Sequence, residues 1–244
     1  MRLSRICTRQ PLAAGQVIEL APDKAHYLGH VLRLRVGQSV ALFNGEDAAD
    51  FDARIDVIGK NSARLTILER HPRDLDPTIE ITLIQAVGRF DSLDLIMQKA
   101  TELGIGDILL FNAERTQHPL KSNRIDRKLA HWAAIIESAC EQCGRNTLPG
   151  IEFVRDLAHC LPALAAANRL LLDFSGGSLA DFSPANPAQA LQFLVGPEGG
   201  LSDRERDMCL AHGFTGCSLG PRVLRMETAA ISALGLIQSR FGDM

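Results

Sequence analysis

At 244 residues the chain is long for one compact domain, and one or two domains are expected. Hydrophobic residues make up 46% and charged residues 23%, the balance of an ordinary soluble protein with a sizeable core. The net charge of −3 announces no polyanion partner by itself, and no apolar run is long enough to span a bilayer.

The distribution of charge says more than its total. Residues 1–35 carry six basic side chains (Arg2, Arg5, Arg9, Lys24, Arg33, Arg35) against Glu19 and Asp23, a local balance of +4, which leaves −7 for residues 36–244. A basic end on an acidic body is the asymmetry expected where one end meets phosphate, although a solvated charged face would look the same. Met1–Gln10 has no apolar stretch and no cleavage site, so no secretory signal is expected. Six scattered cysteines in a chain of this size fit a reducing cytoplasm better than a disulfide scaffold.

In chain order, strands are expected at Gln16–Leu20, Ser39–Phe43, Phe51–Val57 and Ala63–Leu68, with a short helix between His26 and Leu34. Such closely spaced strands punctuated by glycine turns suggest a small barrel over residues 1–70. His71 to Pro77 reads as a linker, so the boundary is placed at 71–78 and a second domain at 79–244. From Ile79 onward β-branched runs (Ile79–Val87, Asp107–Phe111, Arg169–Phe174, Ala190–Val195) alternate with helical patterns, which predicts an α/β domain on a mostly parallel sheet. Helices are expected from Asp91 or Ser92 to Gly104, from Ile125 through Cys143, after Ser202 and from Glu227 to Arg240. Ser202-Asp-Arg-Glu205 has capping-box spacing. In the last helix Ala230, Ile231, Leu234 and Ile237 form an apolar stripe that serves either a dimer contact or plain core packing.

Two loops stand out for chemistry. Leu194-Val-Gly-Pro-Glu-Gly-Gly200 joins a buried-type strand to a capped helix, and Ser218-Leu-Gly-Pro-Arg-Val-Leu-Arg-Met-Glu-Thr-Ala229 precedes the final helix. Glycines at such turns let the backbone approach a ligand and expose its N–H groups. The chain lacks both the Walker-A pattern and G-x-G-x-x-G after its first strand, which removes the main support for nucleotide hydrolysis and dinucleotide redox chemistry. Cys140-x-x-Cys143 has no second pair and lies inside a helix, so no metal is expected there.

Taken in order, the two loops resemble the paired C-terminal motifs of the SPOUT methyltransferases, and among these the RsmE family, which methylates N3 of a uracil in small-subunit (16S) ribosomal RNA. Gln98-Lys-Ala-Thr-Glu-Leu-Gly-Ile105 and Ala139-Cys-Glu-Gln-Cys-Gly-Arg145 resemble that family's upstream motifs. Arg2–Arg9 and His30-Val-Leu-Arg-Leu-Arg-Val-Gly37 resemble its PUA-like RNA-binding domain. The resemblance implies an N-terminal PUA-like β-barrel and a C-terminal SPOUT α/β domain with a deep trefoil knot, a topology no local pattern would suggest. It implies a homodimer that uses S-adenosyl-L-methionine and acts on small-subunit rRNA, naked or in the assembled subunit, with no DNA and no membrane partner. Cofactor binding then falls to Leu172, Leu194, Gly196, Pro197, Glu198, Gly199 and Gly200 in one group. Leu219, Gly220, Leu224, Arg225, Glu227, Thr228 and Ala229 form the other.

RNA contacts are expected from Arg2, Arg5, Arg9, His30, Arg33, Arg35, Gln142 and Arg145. A neutral uracil N3 carries a proton, so the site needs a base, a path to solvent, or a cation to stabilise the developing anion. Arg145, supported by Glu141, and Arg225 are the candidates for this role; Glu141 and Arg145 are also spaced for a simple intrahelical ion pair. Two alternatives stay open: a related enzyme acting on a ribose 2′-hydroxyl or a tRNA base, and a non-catalytic RNA-binding or assembly protein.

Overall fold

The computed structural model describes residues 3–59, 61–73, 75, 77–164, 168–184 and 190–244. It is a mixed α/β structure that divides into two compact units, Met1–Asp76 with Cys140–Leu148, and Pro77–Ala139 with Pro149–Met244.

The first unit carries strands β1 (Arg5–Cys7) and β2 (Val17–Leu20), helix α1 (Pro22–His26) continued by a π-helical turn Tyr27–Val31, and strands β3 (Ser39–Phe43), β4 (Ala49–Ile58) and β5 (Ala63–Pro72). They form one sheet in the order β1-β3-β4-β5-β2, antiparallel except where β1 runs parallel to β3. Alternation puts Ile6, Ile18, Leu20, Val40, Leu42, Phe51, Ile55, Leu65 and Ile67 on one buried face, closed by Leu28 of the π-helical turn. β1 was missed in the sequence because three residues beginning with arginine carry no strand pattern. The helix expected over His26–Leu34 instead begins at Pro22, whose fixed φ suits a first helical position.

The second unit continues with β6 (Ile81–Ala86), α2 (Phe90–Glu102), β7 (Asp107–Asn112), α3 (Ile125–Cys143), β8 (Gly150–Asp156), α4 (Leu157–Cys160), β9 (Asn168–Ser178), β10 (Leu191–Val195), α5 (Asp203–Ala211), β11 (Thr215–Ser218) and α6 (Met226–Phe241). Its six strands lie in the order β11-β9-β10-β6-β7-β8, all parallel. The chain steps outward from β6 through β7 to β8, then crosses to β9 and places β10 between β9 and β6. The direction of strand order therefore reverses at β6/β10, the kind of position where parallel sheets leave a crevice beyond their strand ends. α6 packs against α2 and β10, and Gln238 donates from Nε2 to the Leu103 carbonyl at 2.9 Å. Ala230, Leu234 and Ile237 are buried, so much of the predicted α6 stripe serves this core.

The last turn of α3, from Cys140, belongs to the first unit by its contacts. There Arg5, only 2% exposed in its side chain, donates to Asp50 at 2.8 Å, to Asn146 Oδ1 at 2.5 Å, and to the carbonyls of Cys140 and Arg145. Among the described residues no helix is long and apolar enough to cross a membrane, and no cluster of three metal-ligating side chains occurs.

Candidate functional site

At the carboxyl ends of β9, β10 and β11 the second unit opens a cleft of about 270 Å³. Three chain segments build it. The first is an excursion within β9: Leu171 pairs with Gly216 and Gly177 with Cys217, so the residues between them have no counterpart on β11 and bow outward. Leu172, Asp173 and Phe174 of this excursion line the cleft. The second segment is the turn after β10, with Gly196, Pro197, Glu198, Gly200 and Leu201. The third runs from Ser218 through Gly220 and Leu224 to Met226 and Ala229 on the first turn of α6.

The two glycine loops are shaped by local necessity. Gly200 and Gly220 hold φ of +68° and +100°, which residues with a Cβ rarely adopt. A Cβ on Gly196 would lie 3.3 Å from both Leu201 Cγ and the Leu201 nitrogen, so glycine brings the loop tight against itself. Ser202 and Glu205 form the expected capping box, and Glu205, though buried, also accepts the Glu114 N–H at 2.9 Å. One carboxylate thus fixes both the start of α5 and the turn after β7.

The cleft walls are chiefly aliphatic: Leu171, Leu172, Val195, Leu219, Val223 and Leu224. Two carboxylates interrupt them. Asp173 pairs with Arg206 of α5 and accepts the Ser175 N–H. Glu198 accepts the Arg89 N–H at 2.9 Å. An apolar slot edged by two carboxylates suits a flat heterocycle attached to a cationic chain.

The structure brings together Leu172, Gly196, Pro197, Glu198, Gly200, Leu219, Gly220, Leu224 and Ala229 of the expected cofactor residues. Leu194 is fully buried among Ile84, Phe111 and Leu171, so it supports the cleft from beneath and does not line it. A Cβ on Gly199 would lie 3.2 Å from the Arg115 carbonyl oxygen, and Gly199, Arg225, Glu227 and Thr228 stand outside the lining. Arg225 is exposed at the N-cap of α6, between lining residues Leu224 and Met226. Sequence reasoning missed Asp173, Phe174, Arg206 and Val223. The signal available for Asp173 was its place at the end of an apolar strand, just before Ser175-Gly-Gly177.

The expected RNA residues divide. Arg9, Arg33, Arg35, His30 and Gln142 are exposed, with Arg33 at a left-handed φ of 54° and the His26 and His30 rings 4.5 Å apart. Arg2 lies outside the described residues. Arg5 is a correction: it is sealed against Asp50, Asn146 and two carbonyls, so its charge serves the fold. Lys24 is likewise tied to Glu141 at 3.0 Å, which halves the mobile positive charge that the +4 count suggested. Arg145 is 6% exposed in the first unit, and α3 ends at Cys143, so Arg145 and Glu141 do not share the helix that their spacing suggested. Glu141 accepts the Cys7 N–H and the Lys24 ammonium.

Next to Arg145, a hydrogen bond from the Cys140 thiol, the Arg145 N–H and the charges of Arg145 and Arg5 together lower the Cys143 pKa to about 6, against the opposing effect of burial. The Cys140 thiol is pushed up by donating that bond and by burial.

Comparison with known proteins agrees with this geometry. The model of the RNA methyltransferase domain family matches residues 75–238, and that of the RNA methyltransferase PUA domain matches residues 20–68. Ribosomal RNA small subunit methyltransferase E of Buchnera aphidicola is 30% identical over 100% of this chain and 98% of its own, and that of Rickettsia conorii 33% over 98% and 96%. Two solved structures, each described with bound S-adenosylmethionine, superpose over essentially both whole chains. They are a putative methyltransferase from Legionella pneumophila (TM-score 0.94, 34% identity, 100% of each chain) and the small subunit methyltransferase E of Neisseria gonorrhoeae (0.93, 33%, 99% of each). The chain therefore belongs to the RNA methyltransferase family whose curated relatives are named ribosomal RNA small subunit methyltransferase E.

Proposed function

We propose that this protein is an S-adenosylmethionine-dependent enzyme that methylates N3 of a uracil in 16S ribosomal RNA. The observation that carries the reading is the cleft beyond β9, β10 and β11, where the two glycine loops meet the β9 excursion in one aliphatic slot with Asp173 and Glu198 at its edge. The slot fits the cofactor's chemistry: leucine and valine side chains flank a heterocycle, and carboxylates face positive charge. Gly196 to Gly200 and Leu219 to Leu224 bind it through backbone groups, and Asp173 and Glu198 orient its cationic part.

Bound there, the cofactor supplies an electrophilic methyl on a sulfonium. The chain's task is alignment, because no metal is needed to activate the leaving group. Transfer to N3 would form a C–N bond as the S–C bond breaks, and would need the N3 proton to leave to a base or to solvent. In this reading Arg225, exposed between the lining residues Leu224 and Met226, stabilises the anion that develops on the uracil. Arg145 is less suited within one chain, since it is buried in the first unit.

The first unit, PUA-like in this reading, grips RNA through Arg9, His30, Arg33 and Arg35, while the second, a knotted SPOUT domain, performs transfer. The placement of β10 between β9 and β6 supports the knot. Leu236 (47% exposed) on α6 and Val223 (83% exposed) in the loop before it support a homodimer through the part of this segment left free by the core. A ribosomal substrate puts the protein in the cytoplasm.

Mapping methylated nucleotides by mass spectrometry in cells lacking the protein tests the assignment. One small-subunit uridine should lose its methyl and regain it with the wild type but not with Gly196→Val. An unchanged map would sink the reading.

A further inference from the structure

Beside the cofactor cleft, the second unit holds a separate open groove of about 560 Å³, lined by Arg89, Phe90, Asp91, His118, Lys121 and Arg124 among others. We propose that this groove binds phosphodiester groups of the RNA substrate, so that the catalytic unit grips RNA itself; the inference rests on the methyltransferase reading above.

Charge is the first argument. Arg89, Lys121 and Arg124 are exposed, and none has an ion pair among the described residues. Several other cations are by contrast ion-paired: Arg5 and Arg73 with Asp50, Lys24 with Glu141, Arg204 with Glu114, Arg206 with Asp173. Against three permanent positive charges and His118, the groove sets only Asp91. Gathering like charges without neutralising them is unfavourable unless an anion arrives.

Rigidity is the second. The segment carrying His118 and Lys121 is pinned at its base: Asn112 donates from Nδ2 to the Leu120 carbonyl at 3.0 Å and accepts the Leu120 N–H at 2.9 Å. Thr116 accepts the Ala113 N–H and donates to the Val87 carbonyl. Leu120 is buried, and the short turn Ser122–Arg124 leads into α3. The cations therefore stand on a preorganised frame, which lowers the entropy lost on binding.

The third argument separates phosphate from base recognition. Among the described residues that line the groove, Phe90 is the only Phe, Tyr or Trp, and Lys128 sits 4.0 Å from its ring centroid. With that face occupied, the groove offers charge and little stacking, the signature of backbone rather than base contacts. Position fits as well. The Arg89 N–H is held by Glu198 of the cleft, and Arg115 donates to the Leu201 carbonyl at 3.0 Å, so groove and cleft share a border. A strand held there passes the edge where the methyl must be delivered.

The test compares the full-length wild type with the variant Arg89→Ala/Lys121→Ala/Arg124→Ala and the charge-preserving variant Arg89→Lys/Lys121→Arg/Arg124→Lys. Filter binding to an unmodified 16S rRNA transcript is measured from 50 to 300 mM KCl, with S-adenosylmethionine affinity followed by calorimetry. The alanine variant should bind RNA about tenfold or more weakly at 100 mM salt. Its log–log salt slope should flatten by about 2, at roughly 0.7–0.9 per lost phosphate contact. Cofactor affinity should stay within about twofold of wild type, and the charge-preserving variant should bind RNA like wild type. An alanine variant with wild-type affinity and slope overturns the groove alone, as does a charge-preserving variant as weak as the alanine one. Wild type that binds cofactor but not RNA overturns the function proposed above as well.

Discussion

Two clusters of positive charge in this protein meet opposite fates. Arg5 in the first unit is sealed among Asp50, Asn146 and two carbonyls, while Arg89, Lys121 and Arg124 in the second stand exposed and unpaired among the described residues. The residue types are nearly the same; the surroundings decide the role. A buried arginine with matched acceptors organises a fold, and removing it strands those acceptors. Exposed cations without ion pairs contribute little to the fold and stay available to an anion.

The strongest way to break this contrast is Arg5→Ala. It should destabilise the protein by about 3–5 kcal/mol, because Asp50 would lose one of its two arginine partners among the described residues and two carbonyls would lose their donor. Thermal denaturation checks this, and an unchanged melting temperature would mean the arginine is not structural. Gly196→Val should weaken cofactor binding by about 100-fold or more, since the added branches collide with Leu201 and enter the cleft, while leaving RNA affinity near wild type. Calorimetry with S-adenosylmethionine decides it. Arg124→Ala should reverse the pattern of Arg5→Ala: a few-fold loss of RNA affinity at low salt, within about 0.5 kcal/mol of wild-type stability. If its melting temperature falls as far as that of Arg5→Ala, the two clusters are not different in kind.

The smallest effect is chemical. With its pKa lowered to about 6, Cys143 should be alkylated by iodoacetamide at a pH where an ordinary thiol is still protonated, its labelling rising through about pH 6. Burial raises Cys160 and Cys209 to about 12, and both should stay unlabelled across that range. Peptide mass spectrometry reads the profile. In the Arg5→Ala protein the Cys143 midpoint should move upward, since one of the charges holding the thiolate is gone.

The cleft was legible because its makers are local. Glycine at positive φ, a proline turn and a capping box each announce themselves within a few residues, and most of Val195–Gly200 and Leu219–Ala229 lines the cleft, with Gly199, Arg225, Glu227 and Thr228 among the exceptions. What stayed hidden depends on distant partners. The burial of Arg5 rests on Asp50, 45 positions away, and Asn146, 141 away. The excursion of β9 that brings Asp173 and Phe174 to the cleft exists only because β11 pairs on both sides of it. β8 was overlooked because its irregular run of half-buried and exposed residues gives neither a clean alternation nor an apolar core. The groove draws on Arg89 and on residues 117–124, segments that neither charge counts nor motifs had linked.

Gly88 carries one more consequence. A Cβ there would lie 2.8 Å from both Glu198 carboxylate oxygens and 2.7 Å from Met226 Cε. Positions 88 and 198 are therefore energetically coupled, and changes at the two should not add. Gly88→Ala alone should push the Glu198 carboxylate off the Arg89 N–H and weaken cofactor binding. In a Glu198→Ala background the same change should cost markedly less, giving a double-mutant cycle with a clearly nonzero interaction energy. The smallest residue in the region sets how large its neighbour across the loop can be.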